Sequence, residues 1–376
     1  MIAPLRPTAG APLFFRFPQA STVASETIAS DTSEESPAER YFARLLNSRV
    51  GRIAFRYRRL LPVASFAMGA ASFFLVERQA ALAQWVTALM LLGWLALLFE
   101  GLLCRLLARY FGERIPQAAV RFAAQCLHQE TLFFVLPFFL ATTTWLSGQA
   151  LFTGLLIVAA AASTVDPIYL HGIAGRRWLF LGFHGFTLFV ALLTAGPIML
   201  SLTTGESVAI ASVAMGVCAL PSFNDAVQAR QWWRWLLLAA LSVALGGIAW
   251  FGRFWIPPAT LRATDMAITL QVNIDSRKPG DDRSTFTADE LASDGLYAFT
   301  SIAAPRGLQQ QVLHVWSHDG KVVDRIPLEI TGGGPENGYR AWSHKLALGD
   351  DPSGHWRVTV ITDDGQLIGA RRFTVE

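Results

Sequence analysis

The sequence is poor in charge, in lysine and in cysteine. Only 16% of its 376 residues are charged, 52% are hydrophobic and the mean hydropathy is +0.37, whereas soluble domains carry about a quarter of their residues charged. This composition excludes an ordinary soluble globular protein and favours a membrane protein. Three of the 31 basic residues are lysines, and the arginines are scattered between apolar runs. A basic face for nucleic acid is therefore excluded.

The scarce cysteines do not indicate a metal site. Cys104, Cys126 and Cys218 share no ligand-like spacing and lie in or beside apolar runs, so we interpret them as small apolar fillers. The sequence also has no HExxH, P-loop, GxSxG or GxGxxG pattern in a suitable context. We therefore predict no cofactor and no metal, and the sequence does not indicate an enzyme.

The N-terminal part changes character near residue 36. Residues 1–35 are rich in Pro, Ala, Ser, Thr and acidic residues and have no apolar run of signal-peptide length, which predicts a disordered cytoplasmic tail. Residues 36–59 begin with a helix-start pattern at Ser36, Pro37 and Glu39 and alternate arginines with hydrophobic residues. We expect a basic amphipathic juxtamembrane helix on anionic inner-leaflet lipids. A solvated helix that leads into the first span is the alternative.

Residues 60–256 predict a bundle of about seven transmembrane helices, because about 20 apolar residues cross a bilayer. The predicted spans are 60–76, 80–104, 122–146, 149–170, 178–202, 206–222 and 233–256. Ser147 and Gly148 mark the turn inside a long uncharged run, and the span 206–222 is short for a full crossing.

The distribution of arginine predicts the orientation. Arginines collect on one side of this arrangement, within 40–59, 105–121, 176–177 and 230–234. Positive residues are retained in the cytoplasm, so the N-terminus is predicted to be cytoplasmic. An odd number of spans then places the C-terminal domain in the periplasm, and the protein in a bacterial inner membrane.

Residues 262–376 have the period-2 pattern of β-strands. Met266, Ile268, Leu270, Val272 and Ile274 alternate with polar positions. Further strands are predicted at about 295–303, 310–317, 321–330, 339–347, 355–362 and 366–375. The turns at 318–320 and 363–365 each place Gly where a positive φ is expected. This spacing of short strands predicts an all-β immunoglobulin-like sandwich.

Three short motifs in this region carry a family resemblance. The run from Gly354 to Val358 (Gly-His-Trp-Arg-Val), the His-x-Trp strand at His314 and the Trp-Ser pair at Trp342 resemble a bacterial C-terminal domain of unknown function, over about residues 265–376. The membrane part looks like the uncharacterised multi-span region that often precedes this domain in proteobacterial proteins. The resemblance implies a two-part architecture and supplies no activity and no catalytic residues.

Ionisable residues within membrane spans are costly, so each one is a candidate site. They are Glu100, His128, Glu130, Asp166, His171 and His184. The predicted topology places them near the cytoplasmic ends of spans, where they could converge on one polar pocket or simply pair with one another and with interfacial water. His128 and Glu130 lie about 200° apart around a helix, so only one of them should face the pocket. Asp166-Pro167 predicts a broken helix, and Pro137 and Gly196-Pro197 could break two further spans.

The β-domain offers a second candidate site. His314 and Trp316 share one face of their strand, as do Trp342 and His344. If these rings are exposed, they form a ligand face for a sugar or a protein partner; if they are buried, they form the core.

Two functional hypotheses follow. The first is a non-enzymatic inner-membrane protein whose periplasmic sandwich binds an envelope protein or a glycan. The second is a transporter or lipid-processing membrane enzyme that uses the polar pocket in the cytoplasmic leaflet.

Overall fold

The computed structural model describes residues 60–76, 85, 88, 117–227, 232–305, 308–331, 338–349 and 351–376. The predicted tail 1–35, the amphipathic helix 36–59, nearly all of the span 80–104 and Glu100 lie outside the described residues. The described part consists of a helical region followed by a β-domain.

Six long helices make up the described helical region. They are α1 (Leu61–Val76), α2 (Gln117–Thr142), α3 (Gln149–Thr164), α4 (Arg177–Leu200), α5 (Thr204–Val227) and α6 (Trp232–Phe251). A π-helical turn (Pro167–Ile173) lies between α3 and α4, and a 3-10 turn (Gly252–Trp255) follows α6. The core of the region is built around α2 and α4, where Leu132, Phe138 and Val190 are fully buried.

The described helices provide fewer membrane spans than the sequence pattern predicts. Trp178–Leu200 and Trp233–Trp255 are long and apolar enough to cross a membrane, and α3 with the π-helical turn forms a third span if this pair, bent by 99°, is counted as one. Pro62–Phe73 and Thr204–Val217 are apolar but shorter. The prediction of seven spans is therefore not supported by the residues described. Helix α2 is not among the apolar spans, although a span was predicted at 122–146, because its first half carries buried polar side chains, among them Gln125 and Gln129.

Proline has different consequences in three of these helices. After α3, Val165 is extended (φ −93°, ψ 99°) and Pro167 begins the π-helical turn, so the predicted break at Asp166-Pro167 is confirmed. Helices α2 and α4 continue through Pro137 and Pro197, and the breaks considered there do not occur. A proline inside a helix costs about 3 kcal/mol, which the burial of large neighbours such as Phe138 offsets.

Two sheets form the β-domain. Its strands are β1 (Arg262–Thr269), β2 (Val272–Asn273), β3 (Lys278–Pro279), β4 (Thr285–Phe286), β5 (Leu296–Ala303), β6 (Gln309–His318), β7 (Lys321–Thr331), β8 (Tyr339–Lys345), β9 (Gly354–Thr362) and β10 (Leu367–Val375), with a short helix α7 (Ala288–Asp294) before β5. One sheet has the order β1-β5-β8 and the other β4-β10-β9-β6-β7, while β2 and β3 form a separate hairpin. Six predicted strands agree with the observed bounds to within two residues.

The core of the β-domain lies between the two sheets. Ile268 and Leu296 from the three-stranded sheet pack with Trp316, Trp356 and Phe373 from the five-stranded sheet. Period-2 alternation delivers these side chains to the inner faces. The predicted turns are also present, since Gly320 (φ 82°) and Gly365 (φ 88°) adopt the positive φ that favours glycine.

The β-domain is docked on one end of the helical region. Gln149 Nε2, at the start of α3, donates to the carbonyl oxygen of Leu367 at 2.8 Å. The amide of Thr204, at the start of α5, donates to Gln310 Oε1 at 2.9 Å. Arg253, just after α6, donates through Nε to the carbonyl oxygen of Asp364 at 3.0 Å.

The opposite end of the helical region carries arginine. Helices joined by short connections run antiparallel, so the starts of α2, α4 and α6 lie away from the β-domain. Arg121, Arg176 and Arg234 occupy these positions. The helical region therefore has an arginine-bearing end and a β-domain end.

Candidate functional site

A buried chain of three polar rings lies toward the arginine-bearing end of the helical region. His128 of α2 is fully buried, with its Nδ1 2.7 Å from the hydroxyl oxygen of Tyr169 and its Nε2 3.1 Å from Nδ1 of His184. Tyr169 comes from the π-helical turn and His184 from α4. A neutral imidazole has one donor and one acceptor, so the chain is satisfied when Tyr169 donates to His128 and His128 donates to His184.

Aromatic rings enclose this chain. The ring centroids of Phe180 and Phe183 lie 5.8 and 5.2 Å from that of His128. Phe180 also stacks on His184 at 6.2 Å. Hydrogen bonds in such apolar surroundings are strong, and a polar group left without a partner there is costly. The cluster of Tyr169, His128 and His184 is therefore a fixed polar centre inside an apolar helix bundle.

Asp166 lies beside this cluster and is held by α2. Gln125 Nε2 donates both to Asp166 Oδ1 at 3.0 Å and to the carbonyl oxygen of Ser163 at 3.1 Å. Gln129 Nε2 donates to the same carbonyl oxygen at 2.7 Å. The end of α3 leaves carbonyl groups without helical partners, and the two glutamines of α2 satisfy one of them. The broken helix and its carboxylate are thus fastened to the helix that carries His128.

The predicted intramembrane residues meet only in part. His128 and His184 touch and Asp166 is nearby, whereas Glu130 and His171 are exposed and Glu100 lies outside the described residues. His128 and Glu130 face different sides of α2, as their spacing predicts. Among the described residues, no group of three or more His, Cys, Asp or Glu side chains could hold a metal ion.

The predicted ligand face of the β-domain separates into two parts. His314 and Trp316 are fully buried and belong to the core. His314 lies between the two sheets, 2.7 Å from Thr300 Oγ1 and 2.8 Å from Ser343 Oγ. Burial lowers the pKa of His314 to about 4, so this ring is neutral at pH 7.

Trp342 and His344 lie on the outer side of the three-stranded sheet. Trp342 is partly exposed, and His344 is exposed and stacks on Tyr297 with a centroid distance of 3.8 Å. His344 Nε2 also lies 2.7 Å from the carbonyl oxygen of Asp294. These contacts occupy His344, so the four predicted residues do not form one ligand face.

A polar groove opens on the other side of the domain, on the outer face of the five-stranded sheet. Its volume is about 610 Å³. The side chains that define it are Ser317, His355, Arg357, Thr359, Arg372 and Thr374. The groove lies toward the start of β9 and the end of β10, whereas the helices contact the opposite ends of these strands, near Asp364 and Leu367. It is therefore at the end of the β-domain away from the helical region.

Sequence reasoning did not single out Tyr169 or the groove. Tyr169 shows no sequence signal because a tyrosine in an apolar segment resembles many others. The groove had a signal in the alternation of β9, which places His355, Arg357 and Thr359 opposite the apolar Trp356, Val358 and Val360. The pairing of β9 with β10, which brings in Arg372, is not readable from that pattern.

Comparison with known proteins gives two family matches and no activity. Residues 40–298 match a family of unknown function (DUF5924), and residues 309–375 match a protein domain of unknown function (DUF2914). The C-terminal resemblance noted from the sequence motifs is thus confirmed for part of the β-domain. No curated protein matches the chain.

One solved structure is similar to the C-terminal part. It is an immunoglobulin-like protein from Pseudomonas aeruginosa, 13% identical, with a TM-score of 0.22; the match covers 31% of this chain and 96% of that chain.

Proposed function

Since this chain belongs to the DUF5924 family of unknown function, its family assigns it no activity, and we propose that it is an integral inner-membrane protein whose periplasmic β-domain binds an envelope protein or a glycan. The observation that carries the proposal is the position of the polar groove at the end of the β-domain farthest from the helices. A membrane protein with this shape presents its binding surface to the envelope and keeps its helices in the bilayer.

The surface of the helices supports the membrane part of the proposal. Only 11% of the apolar window in Trp233–Trp255 is buried inside the protein. Leu236, Val243 and Ile248 of this helix expose most of their side chains. An exposed apolar surface of this kind indicates contact with lipid or with a partner.

The two ends of the helical region support the orientation. Arg121, Arg176 and Arg234 lie at the end opposite the β-domain. Arginine near span ends stays in the cytoplasm, where anionic inner-leaflet lipids attract it. The β-domain then faces the periplasm.

A reporter fusion tests the orientation. Alkaline phosphatase, which is active only in the periplasm, fused after Glu376 should be active, and green fluorescent protein at the same position should be dark in the periplasm after Sec export. A truncated fusion after Arg176 is the matched control and should give the opposite pair of readings. A fluorescent green fluorescent protein fusion and an inactive alkaline phosphatase fusion after Glu376 would refute the proposed orientation.

Site-specific photo-crosslinking tests the binding part. A photoreactive residue at Thr359, inside the groove, should form an adduct with an envelope protein or glycan in living cells. The same residue at Ile274, which is exposed on the β2–β3 hairpin, is the control and should not. Equal adducts from both positions would show that the groove has no special role.

The cluster of Tyr169, His128 and His184 favours a second candidate function. A hydrogen-bonded chain of titratable rings beside a broken helix is the arrangement that transporters use for coupled protons or ions. In this candidate the helical region transports a solute or processes a lipid, and the β-domain regulates it. Complementation separates the two candidates. His128→Ala should abolish function if the cluster is the functional site. Arg357→Gln with Arg372→Gln should abolish it if the groove is the functional site.

A further inference from the structure

Two arginines stand side by side in the groove, and no acidic side chain among the described residues pairs with either. Arg357 of β9 and Arg372 of β10 occupy directly opposite positions in the antiparallel pair. Opposite residues in such a pair have Cβ atoms about 5 Å apart, and like charges there are destabilising. Within the residues that the structure describes, neither guanidinium takes part in an ion pair.

One acidic side chain at the edge of the groove, Asp319, already has contacts of its own. Asp319, in the turn after β6, accepts a hydrogen bond from the amide of His355 at 3.0 Å and lies 3.6 Å from Nε2 of His318. Both contacts lie beside Gly354, and neither of them involves Arg357 or Arg372. A negatively charged ligand would supply the missing charge and accept hydrogen bonds from both forks.

Apart from the two arginines and the exposed imidazole of His355, the polar side chains of the groove are hydroxylic. Thr359 and Thr374 lie on the same outward face of β9 and β10 as the two arginines, and Ser317 and Thr285 border them. The two aromatic residues that contribute to the wall, Trp356 and Phe373, are 1% and 3% exposed, so their rings face the core. Among the described residues that line it, the groove thus has no exposed large apolar side chain of the kind that anchors protein partners.

From this juxtaposition we infer that the groove binds an anionic saccharide, in which hydroxyl groups accompany phosphate or carboxylate groups. The guanidinium forks of Arg357 and Arg372 bind the anionic group, and the threonine and serine hydroxyls bind the sugar hydroxyls. This inference rests on the proposed function, because it names the class of envelope ligand that the β-domain binds. It favours a glycan over a protein.

The inference is tested with the full chain in detergent and three probes of similar length. Hexagalacturonate carries sugar hydroxyls and carboxylates, maltohexaose carries hydroxyls alone, and hexaglutamate carries carboxylates alone. Calorimetry should show binding of hexagalacturonate at least tenfold tighter than that of either other probe. Its affinity should fall as salt is raised, because salt screens the charges.

Matched variants locate the site. Arg357→Gln with Arg372→Gln should weaken hexagalacturonate binding at least tenfold, since hydrogen bonds to charged groups contribute more than neutral ones. Arg357→Lys with Arg372→Lys keeps the positive charges but removes the planar guanidinium groups with their paired donors. This variant should show an intermediate loss of affinity for hexagalacturonate. Arg277→Gln with Lys278→Gln removes two charges from the β2–β3 hairpin and should leave binding unchanged. Circular dichroism of each variant checks that it is folded.

Several outcomes would overturn the inference. They are the absence of hexagalacturonate binding, equal binding of hexaglutamate, which would indicate an acidic protein partner, and equal losses in the hairpin variant. The fusion after Glu376 measures on which side of the membrane the C-terminus lies, and so tests the proposed function independently of saccharide binding. A periplasmic C-terminus with no saccharide binding refutes the inference alone, whereas saccharide binding with a cytoplasmic C-terminus refutes the proposed envelope function.

Discussion

Ser343 Oγ lies 2.8 Å from Nδ1 of His314 and accepts a hydrogen bond from Nε1 of Trp316 at 3.0 Å. The two partners come from β6 in the five-stranded sheet, and Ser343 comes from β8 in the three-stranded sheet. A His-x-Trp strand and a Trp-Ser pair that are separate motifs in the sequence thus form one buried polar link between the sheets. Such a link specifies how the sheets face each other, because every buried polar atom needs its partner.

The β-domain is expected to lose stability in mild acid through His314. Burial holds the pKa of this ring at about 4 in the folded state, against 6.5 for a free side chain. Between about pH 6.5 and pH 4, His314 is therefore protonated in the unfolded chain and neutral in the folded chain. The free energy of unfolding falls as the pH drops through this range. The full loss is roughly 3 kcal/mol, from about 1.4 kcal/mol per pKa unit.

Hydrogen exchange of the β6 peptide at pH 7 and pH 5, corrected for intrinsic rates, measures the part of this loss that develops between these two pH values. His314→Gln should flatten the pH dependence, although it lowers stability at neutral pH. His344→Gln, which removes an exposed ring, is the control and should retain the wild-type dependence. An unchanged pH dependence in His314→Gln would show that another group is responsible.

The strands and one helix break could be predicted from sequence because local rules govern them. Alternation fixed the strand bounds, and Asp166-Pro167 ended α3 because proline lacks the donor that the next turn needs. Pro137 lacks the same backbone donor, yet packing around Phe138 keeps α2 helical. Local patterns do not contain the packing that decides between these outcomes.

The candidate sites were harder to predict for the same reason. Period-2 spacing shows that His314 and Trp316 share a face, but it does not show which face is turned inward. Arg357 and Arg372 meet only because β9 pairs with β10 in one register. The relevant information is the pairing of distant segments, and a single sequence does not display it.

Gly69 is expected to be essential for the packing of α1 on α2. A Cβ at this position would lie 2.0 Å from the carbonyl oxygen of Phe134, which is backbone and cannot move aside. Gly69→Ala should therefore separate the two helices and lower stability by about 1–3 kcal/mol. Gly154→Ala is the control, because a Cβ there meets nothing within 4 Å. Denaturation in mixed micelles should show a lowered midpoint for Gly69→Ala, whereas the control, which also gains helix propensity, should show no lowering.

His128 and Tyr169 are expected to be energetically coupled. Each single replacement by Phe leaves the other partner with an unmatched polar atom in an apolar site. The double variant should therefore be less destabilised than the sum of the singles, by about 0.5–3 kcal/mol. Tyr169→Phe combined with His171→Phe, at an exposed position, should be additive. Additivity in the first pair as well would mean that the 2.7 Å contact contributes nothing to stability.

Gln310 is expected to hold the β-domain on the helices. Its Oε1 accepts hydrogen bonds from the amide and the hydroxyl of Thr204 at 2.9 and 3.3 Å, and its Nε2 donates to Asp363. Gln310→Ala leaves the buried amide at the start of α5 without this partner, at a cost of about 1–3 kcal/mol. Amide exchange near Thr204 should then accelerate about 5- to 150-fold, since local opening sets its rate. Gln309→Ala changes the exposed neighbouring residue and should leave exchange unaltered. If both variants exchange alike, the docked arrangement depends on the other contacts, those of Gln149 and Arg253, and Gln310 only fills space between them.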